Sequence, residues 1–200
     1  MFSGIVEEMG VVKTFERNFG GAHLLILAET ILGDLKVGES VSVSGICLTT
    51  AQVHERDFVV DVSTETLNVT SIGSLVAGVA VNLERPMKLN ERIGGHLVSG
   101  HVDGIGTLQD RQQEGNSIIL TFNMPESILR YCIQKGSITI DGVSLTINQV
   151  LEKSLAVVVI PHTSQVTTLG LKQLGDFVNL ESDLIGKYVE RLMQNAGQLL

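Results

Sequence analysis

Two hundred residues with a net charge of −8 and 44% hydrophobic side chains describe a folded acidic chain, longer than one typical domain of about 100–150 residues. With only 18% charged residues, extended disorder is not expected outside the last few residues, and the negative balance argues against nucleic acid or an anionic membrane, which reward clustered Lys and Arg. A small molecule is the expected partner; no apolar run approaches the ~20 residues of a bilayer span and no signal-peptide pattern opens the chain, so the expected address is the cytoplasm.

From the amino terminus, short runs rich in β-branched residues read as strands: Leu24 to Ala28, Val41 and Val43 interleaved with Ser42 and Ser44, and Phe58 to Val62. The same pattern returns at Ile118 to Phe122, at Ile138 and Ile140 interleaved with Thr139 and Asp141, and at Leu155 to Ile160. Glycines at Gly20-Gly21, Gly38, Gly94-Gly95 and Gly115 punctuate them, which predicts a compact β-barrel in each half. Asn68 to Leu75 and Thr167 to Leu174 are expected as short helices that plug the barrel ends. After Asp183, Leu184, Ile185, Tyr188, Val189, Leu192 and Met193 line one helical face, with Gly197 as the stop. That face packs either on a barrel or on another subunit. Cys47 and Cys132 lack a CxxC spacing and are expected as free thiols.

The halves repeat each other. Gly4, Val6 and Gly10 recur as Gly100, Val102 and Gly106; after a one-residue insertion, Ser40, Gly45, Leu48 and Thr49 recur as Ser137, Gly142, Leu145 and Thr146. Val81-Asn82-Leu83-Glu84 returns verbatim as Val178-Asn179-Leu180-Glu181. The polar segment from Arg85 to Arg92 reads as the linker, so the expected units are residues 1–90, 91–183 and a helical tail, 184–200. A duplicated unit can present two similar pockets.

Chemistry concentrates in three places. Gly94 to Gly104 sets His96, Ser99, His101 and Asp103 on a glycine-rich backbone that a ligand can approach closely. Zinc is disfavoured there, because His96 and His101 are five apart and no Cys or His cluster completes a ligand set; a turn with hydrogen-bonded histidines is the plain alternative. Gly45-Ile46-Cys47-Leu48-Thr49 and Gly142-Val143-Ser144-Leu145-Thr146 keep one frame while exchanging thiol for hydroxyl. Asp61 to Thr66, matched with Val158 to Thr163, places hydroxyls at strand ends, where they can bind a planar heterocycle or simply cap helices. No Rossmann fingerprint, P-loop or GxSxG elbow occurs.

The opening Met1 to Glu8, Ser44 to Thr49, Gly94 to Gly104, Gly136 to Thr146, Ile160 to Thr163 and the repeated Val-Asn-Leu-Glu together closely resemble the riboflavin synthase family, over nearly the whole chain. The resemblance implies an all-β fold of two tandem six-stranded antiparallel Greek-key barrels plus a C-terminal α-helix, and a homotrimer assembled through that helix. It implies a transferase that converts two molecules of 6,7-dimethyl-8-ribityllumazine into riboflavin and 5-amino-6-(D-ribitylamino)uracil without metal or redox cofactor. The reaction centre is expected between the first barrel of one subunit and the second barrel of its neighbour. Association with lumazine synthase is a further expectation of the same resemblance.

By motif match, the substrate contacts of the first barrel are Gly4, Ile5, Val6, Cys47, Leu48, Thr49, Asp61, Val62, Ser63, Thr64, Glu65 and Thr66. Those of the second are Gly100, His101, Val102, Lys135, Ser144, Leu145, Thr146, Val159, Ile160, Pro161, His162, Thr163 and Ser164. Ser3, Ser44 and Thr64 depart from the family's commonest residues. His101 and Ser144 are expected to assist deprotonation of a donor methyl, and Cys47 or a water to add to the acceptor ring. His96 and Asp183 are expected in support, with Phe2 packing behind. The rival reading is a non-catalytic lumazine- or flavin-binding antenna protein, in which the histidine-rich segment would be lost.

Overall fold

Strands that bury every second side chain close here into two barrels with the same strand order. The computed structural model describes residues 1–196, so Gly197 lies outside the described residues. In the first barrel, β1 (Glu8–Asn18), β2 (Gly21–Leu27), β3 (Ser40–Val43), β4 (Ile46–Val53), β5 (Asp57–Ser63) and β6 (Ala80–Glu84) follow the closed antiparallel order β1-β2-β5-β4-β3-β6. In the second, β7 (Gly104–Glu114), β8 (Ser117–Asn123), β9 (Ser137–Ile140), β10 (Val143–Val150), β11 (Ser154–Val159) and β12 (Phe177–Ser182) repeat it as β7-β8-β11-β10-β9-β12. Even the register slips are duplicated: those at Val12/Thr14 and Thr50/Gln52 recur at Leu108/Asp110 and Ile147/Gln149. Bulges at barrel corners bend the strands enough to close the sheet.

Each barrel has its own core. Leu24, Ile26, Val41, Val43, Phe58, Val60, Val81 and Leu83 fill the first; Leu120, Phe122, Ile138, Ile140, Leu155, Val157, Val178 and Leu180 fill the second. A fully buried side chain of this size stabilises by roughly 1.5–3 kcal/mol.

The short helices start earlier than the sequence pattern suggests. Helix α1 (Thr64–Val69) begins where Ser63 Oγ accepts from the Thr66 amide, and Thr70 ends it by turning to extended backbone while its hydroxyl bonds the Thr66 carbonyl at 2.6 Å. Helix α3 (Pro161–Val166) begins on a proline, whose fixed φ suits the first helical position. The segments expected as helices carry instead single 3-10 turns, Ser71–Ser74 and Thr168–Gly170, which insert Ile72 and Leu169 into the cores. A further short helix, α2 (Glu126–Leu129), exists only in the second barrel.

Helix α4 (Leu184–Ala196) is tied to the second barrel by its polar side: Lys187 reaches Asp103 at 2.6 Å, and Glu190 pairs with Arg130 and accepts from Tyr131. Its apolar face, Ile185, Tyr188, Val189, Leu192 and Met193, stands exposed. No helix among the described residues is long and apolar enough to cross a membrane.

Candidate functional site

The alternation that sends Ile46 and Leu48 inward sends Cys47 and Thr49 outward, and in the second barrel Val143 and Leu145 face the core while Ser144 and Thr146 face out. Asp61 and Ser63 stand on the same outer wall, because Asp61 is paired across the ladder with Thr49. The candidate sites therefore lie on the outer walls of the barrels. Leu48, Val62, Leu145 and Val159 have inward side chains, so only their backbone groups are available on the outer wall. Beside Thr49, Asp61 and Ser63 a hollow of about 410 Å³ is walled further by Asn18 and His23, and His23 Nδ1 meets Asp61 Oδ1 at 2.7 Å. Across the second barrel, Ile160, Pro161 and His162 are exposed and Thr163 and Ser164 half-buried at the start of α3. A hollow of about 500 Å³ opens beside Ile5 and Gly94, along the ion-paired linker residues Arg85 and Lys88.

Each cleft is completed by a segment that crosses from the other repeat. Phe2 and Val98 pair antiparallel, with the Phe2 amide 2.7 Å from the Val98 carbonyl and the return bond at 3.0 Å. Beyond that bridge the segments part to opposite barrels. The Ser144 amide donates to the Gly4 carbonyl at 2.7 Å, and the Cys47 amide donates to the Gly100 carbonyl at 2.8 Å. Val6 packs on the second core and Val102 on the first. The contact is tight enough to require glycine: a Cβ on Gly4 would lie 2.6 Å from Ser144 Cβ, one on Gly100 would lie 2.6 Å from Cys47 Cβ, and both have φ near +80°.

This corrects the grouping expected by repeat. Gly4, Ile5 and Val6 belong with Ser144, Leu145 and Thr146, whereas Gly100, His101 and Val102 belong with Cys47, Leu48 and Thr49. Sequence order suggested the opposite because superposed repeats show equivalence and not contact.

The crossing also separates two residues expected to act together. Ser144 Oγ lies 2.7 Å from His96 Nδ1, and His96 Nε2 lies 3.2 Å from Thr139 Oγ1. His101 is exposed on the strip that borders Cys47, and its backbone amide donates to Ser99 Oγ at 3.1 Å. His96, expected in support, is thus the imidazole in contact with Ser144. Burial pushes its pKa below 6.5, opposed by the negative charge of Asp183, so the ring is held neutral. Asp183 itself caps α4, with Oδ1 3.0 Å from the Ile185 amide. Lys135 sits exposed at φ 66°, a left-handed position that the first repeat gives to Gly38 at φ 87°. Phe2 is fully buried at the crossing. Cys132 is buried and its thiol is pushed up to about 11 by burial, so it is inert at neutral pH.

Sequence reasoning found the verbatim Val-Asn-Leu-Glu but gave it no role in the site. Asn82 Nδ2 donates to the Asp141 carbonyl at 2.8 Å and its Oδ1 accepts from the Thr168 amide at 2.8 Å, so the side chain stitches the first barrel to the second. Asn179 does the reverse, donating to the Ser44 carbonyl at 2.9 Å and accepting from the Ser71 amide at 2.8 Å. Identity in both repeats at a polar position between two core-facing residues, Val81 and Leu83 or Val178 and Leu180, was the available signal.

Among the described residues no group of three or more His, Cys, Asp or Glu is placed to hold a metal ion. What remains is a pair of like-framed outer strand faces, each bordered by a crossing segment, with unequal reactive groups, Cys47 on one and a Ser144–His96 pair on the other. The lumazine binding domain family matches the chain twice, over residues 3–86 and 99–183. A riboflavin synthase of Actinobacillus pleuropneumoniae is 42% identical over 193 residues, 96% of this chain and 90% of that protein. The riboflavin synthase of Bacillus subtilis is 41% identical over 198 residues, covering 99% and 92%. Among solved structures, LumP complexed with riboflavin superposes with a TM-score of 0.85 at 24% identity over 91% of this chain and 99% of that one, a likeness of fold.

Proposed function

The chain belongs to the riboflavin synthase family of enzymes, and from that membership we propose that its two clefts hold two molecules of 6,7-dimethyl-8-ribityllumazine in unequal roles. One molecule gives up four carbons to the other, leaving riboflavin and 5-amino-6-(D-ribitylamino)uracil. The observation that carries the reading is the pair of like-framed clefts that differ at the reactive position, Cys47 against Ser144 bonded to His96 at 2.7 Å. A reaction between two copies of one compound needs the same recognition twice and different chemistry at each.

The donor molecule belongs in the second cleft. Its C7 methyl is acidic because the carbanion delocalises into the ring, and neutral His96, acting through Ser144 Oγ, takes the proton; such positioned acid–base groups contribute about 10²–10⁴-fold. The acceptor belongs in the first cleft, where Cys47 or a water adds to its electrophilic ring and His101 borders the site. Holding two rings face to face supplies the larger share, because it turns an encounter in solution into a reaction within one complex.

Both clefts open outward, so the reacting faces meet when the first cleft of one subunit faces the second cleft of another. The exposed stripe Ile185, Tyr188, Val189, Leu192 and Met193 on α4 supports assembly of a homotrimer through that helix. Two free thiols suit the reducing cytoplasm.

Incubating the purified protein with 6,7-dimethyl-8-ribityllumazine alone tests the reading. Riboflavin should accumulate at one molecule per two lumazines consumed, without added metal or nucleotide. Tight fluorescent binding with no product would replace it by the antenna reading.

A further inference from the structure

The crossing segments are held by two carboxylates that neither the repeat pattern nor the chemistry of the clefts assigns. Glu84, at the end of β6, accepts the Ser3 amide at 2.7 Å and the Ser3 hydroxyl at 2.9 Å on one oxygen, and the Gly4 amide at 3.1 Å on the other. Glu181, at the end of β12, accepts the Ser99 amide and hydroxyl at 2.7 Å each, and the Gly100 amide at 2.9 Å. Both side chains are at most 5% exposed. A buried carboxylate with no cation against it is costly, and here backbone amides and a hydroxyl do the work of a counter-ion.

The destinations of the held segments give this clamp its meaning. Ser3 and Gly4, gripped by the first barrel's Glu84, continue onto the second barrel, where the Gly4 carbonyl receives the Ser144 amide. Ser99 and Gly100, gripped by the second barrel's Glu181, continue onto the first, where the Gly100 carbonyl receives the Cys47 amide. We propose that Glu84 and Glu181 are crossed positioning residues, each fixed in one barrel and setting the geometry of the cleft in the other. The clefts are coupled by construction: neither barrel shapes its own reactive strand without the far end of its partner. The riboflavin readout of its test rests on the function proposed above; the clamp itself does not.

Glutamine keeps the shape of either side chain but turns an acceptor into an NH₂ that faces a backbone N–H. Deuterium exchange of full-length protein, followed by mass spectrometry with and without riboflavin as the probe, reads both clefts at once. In Glu84→Gln, peptides over residues 142–147 should exchange at least tenfold faster and need at least tenfold more riboflavin for protection, while peptides over residues 45–50 change less than twofold. Glu181→Gln should give the mirror result. Either substitution acting on the cleft of its own barrel, or on both equally, overturns the proposal. Should Glu84→Gln fail to fold, Ser3→Ala removes one of the three bonds without touching a barrel strand and should accelerate exchange over 142–147 two- to threefold; no change there also overturns it. If riboflavin protects neither peptide in the unsubstituted protein, the function proposed above fails, and the crossed exchange pattern without ligand still decides the clamp.

Discussion

The first cleft presents Cys47 with His101 exposed along its border, and the second presents Ser144 joined to a buried, neutral His96. Their frames are otherwise the same: an outward β-branched or hydroxyl strand, a crossing glycine, a short helix after the neighbouring strand. The difference arises at the junction. His96 stands just before the stretch that duplicates Met1, so the junction between the copies places an imidazole against Ser144 of the second barrel. Duplication gives two like frames, and the residue at the junction between the copies makes them unequal.

The most damaging way to break the comparison is to close the crossings. Gly4→Ala and Gly100→Ala each put a Cβ 2.6 Å from a reactive-strand Cβ at a φ near +80°. Each should destabilise by about 2–4 kcal/mol in urea unfolding and lower turnover by about 10²–10³-fold. The prediction sharpens on location: Gly4→Ala should impair ligand binding at Ser144, and Gly100→Ala at Cys47.

His96→Gln tests whether the junction histidine makes the second cleft the basic one. Turnover should fall by about 10²–10³-fold, with riboflavin affinity within threefold. Because the folded chain holds His96 neutral below the ordinary 6.5, the unfolded chain binds more protons as pH falls past that value. Stability is therefore undiminished by this group above pH 6.5 and declines as pH drops below it. In His96→Gln that acid-side loss should shrink, and the acid limb of the pH–rate profile should flatten. An unchanged limb would assign the base elsewhere.

Much of this was legible beforehand, and what was missed has physical reasons. The alternation at Val41–Ser44 and Ile138–Asp141 marked strands whose two faces differ, and the Cys47 and Ser144 frames marked both clefts. Strands β1 and β7 were missed because one of the two buried positions in each is a glycine, Gly10 and Gly106, and their far ends run into solvent, which leaves little apolar alternation to read. Helices α1 and α3 were shifted because capping by Ser63 and the proline at 161 set their starts, while the apolar pattern that suggested them belongs to the 3-10 turns. Contacts between repeats, such as Gly4 with Ser144, are invisible to a comparison that only superposes one repeat on the other.

The stitching asparagines test how even the interface is. Asn82→Ala leaves the buried Thr168 amide without its acceptor, whereas Asn179→Ala leaves the half-buried Ser71 amide. An orphaned buried donor costs about 1–3 kcal/mol, so urea unfolding should show about 2 kcal/mol for Asn82→Ala and about 1 kcal/mol for Asn179→Ala. Equal losses would mean that water reaches both sites alike.

Lys135 offers the smallest and most specific contrast. Its backbone is left-handed at φ 66°, where the first barrel has Gly38, and a non-glycine residue held there costs on the order of 1 kcal/mol. Nothing in the folding of the second barrel calls for a lysine at an exposed turn, since the equivalent turn closes with glycine. A strained cation whose amide donates to the Ile147 carbonyl at 2.8 Å, one residue beyond Thr146, is what ligand recognition by the second barrel alone would leave behind. Lys135→Gly should therefore raise the urea midpoint, by the equivalent of up to about 1 kcal/mol, while raising the KM for lumazine severalfold with little change in kcat. A variant that gained stability and kept its KM would show that the second cleft recognises its ligand without the lysine, and that the strain has no functional counterpart.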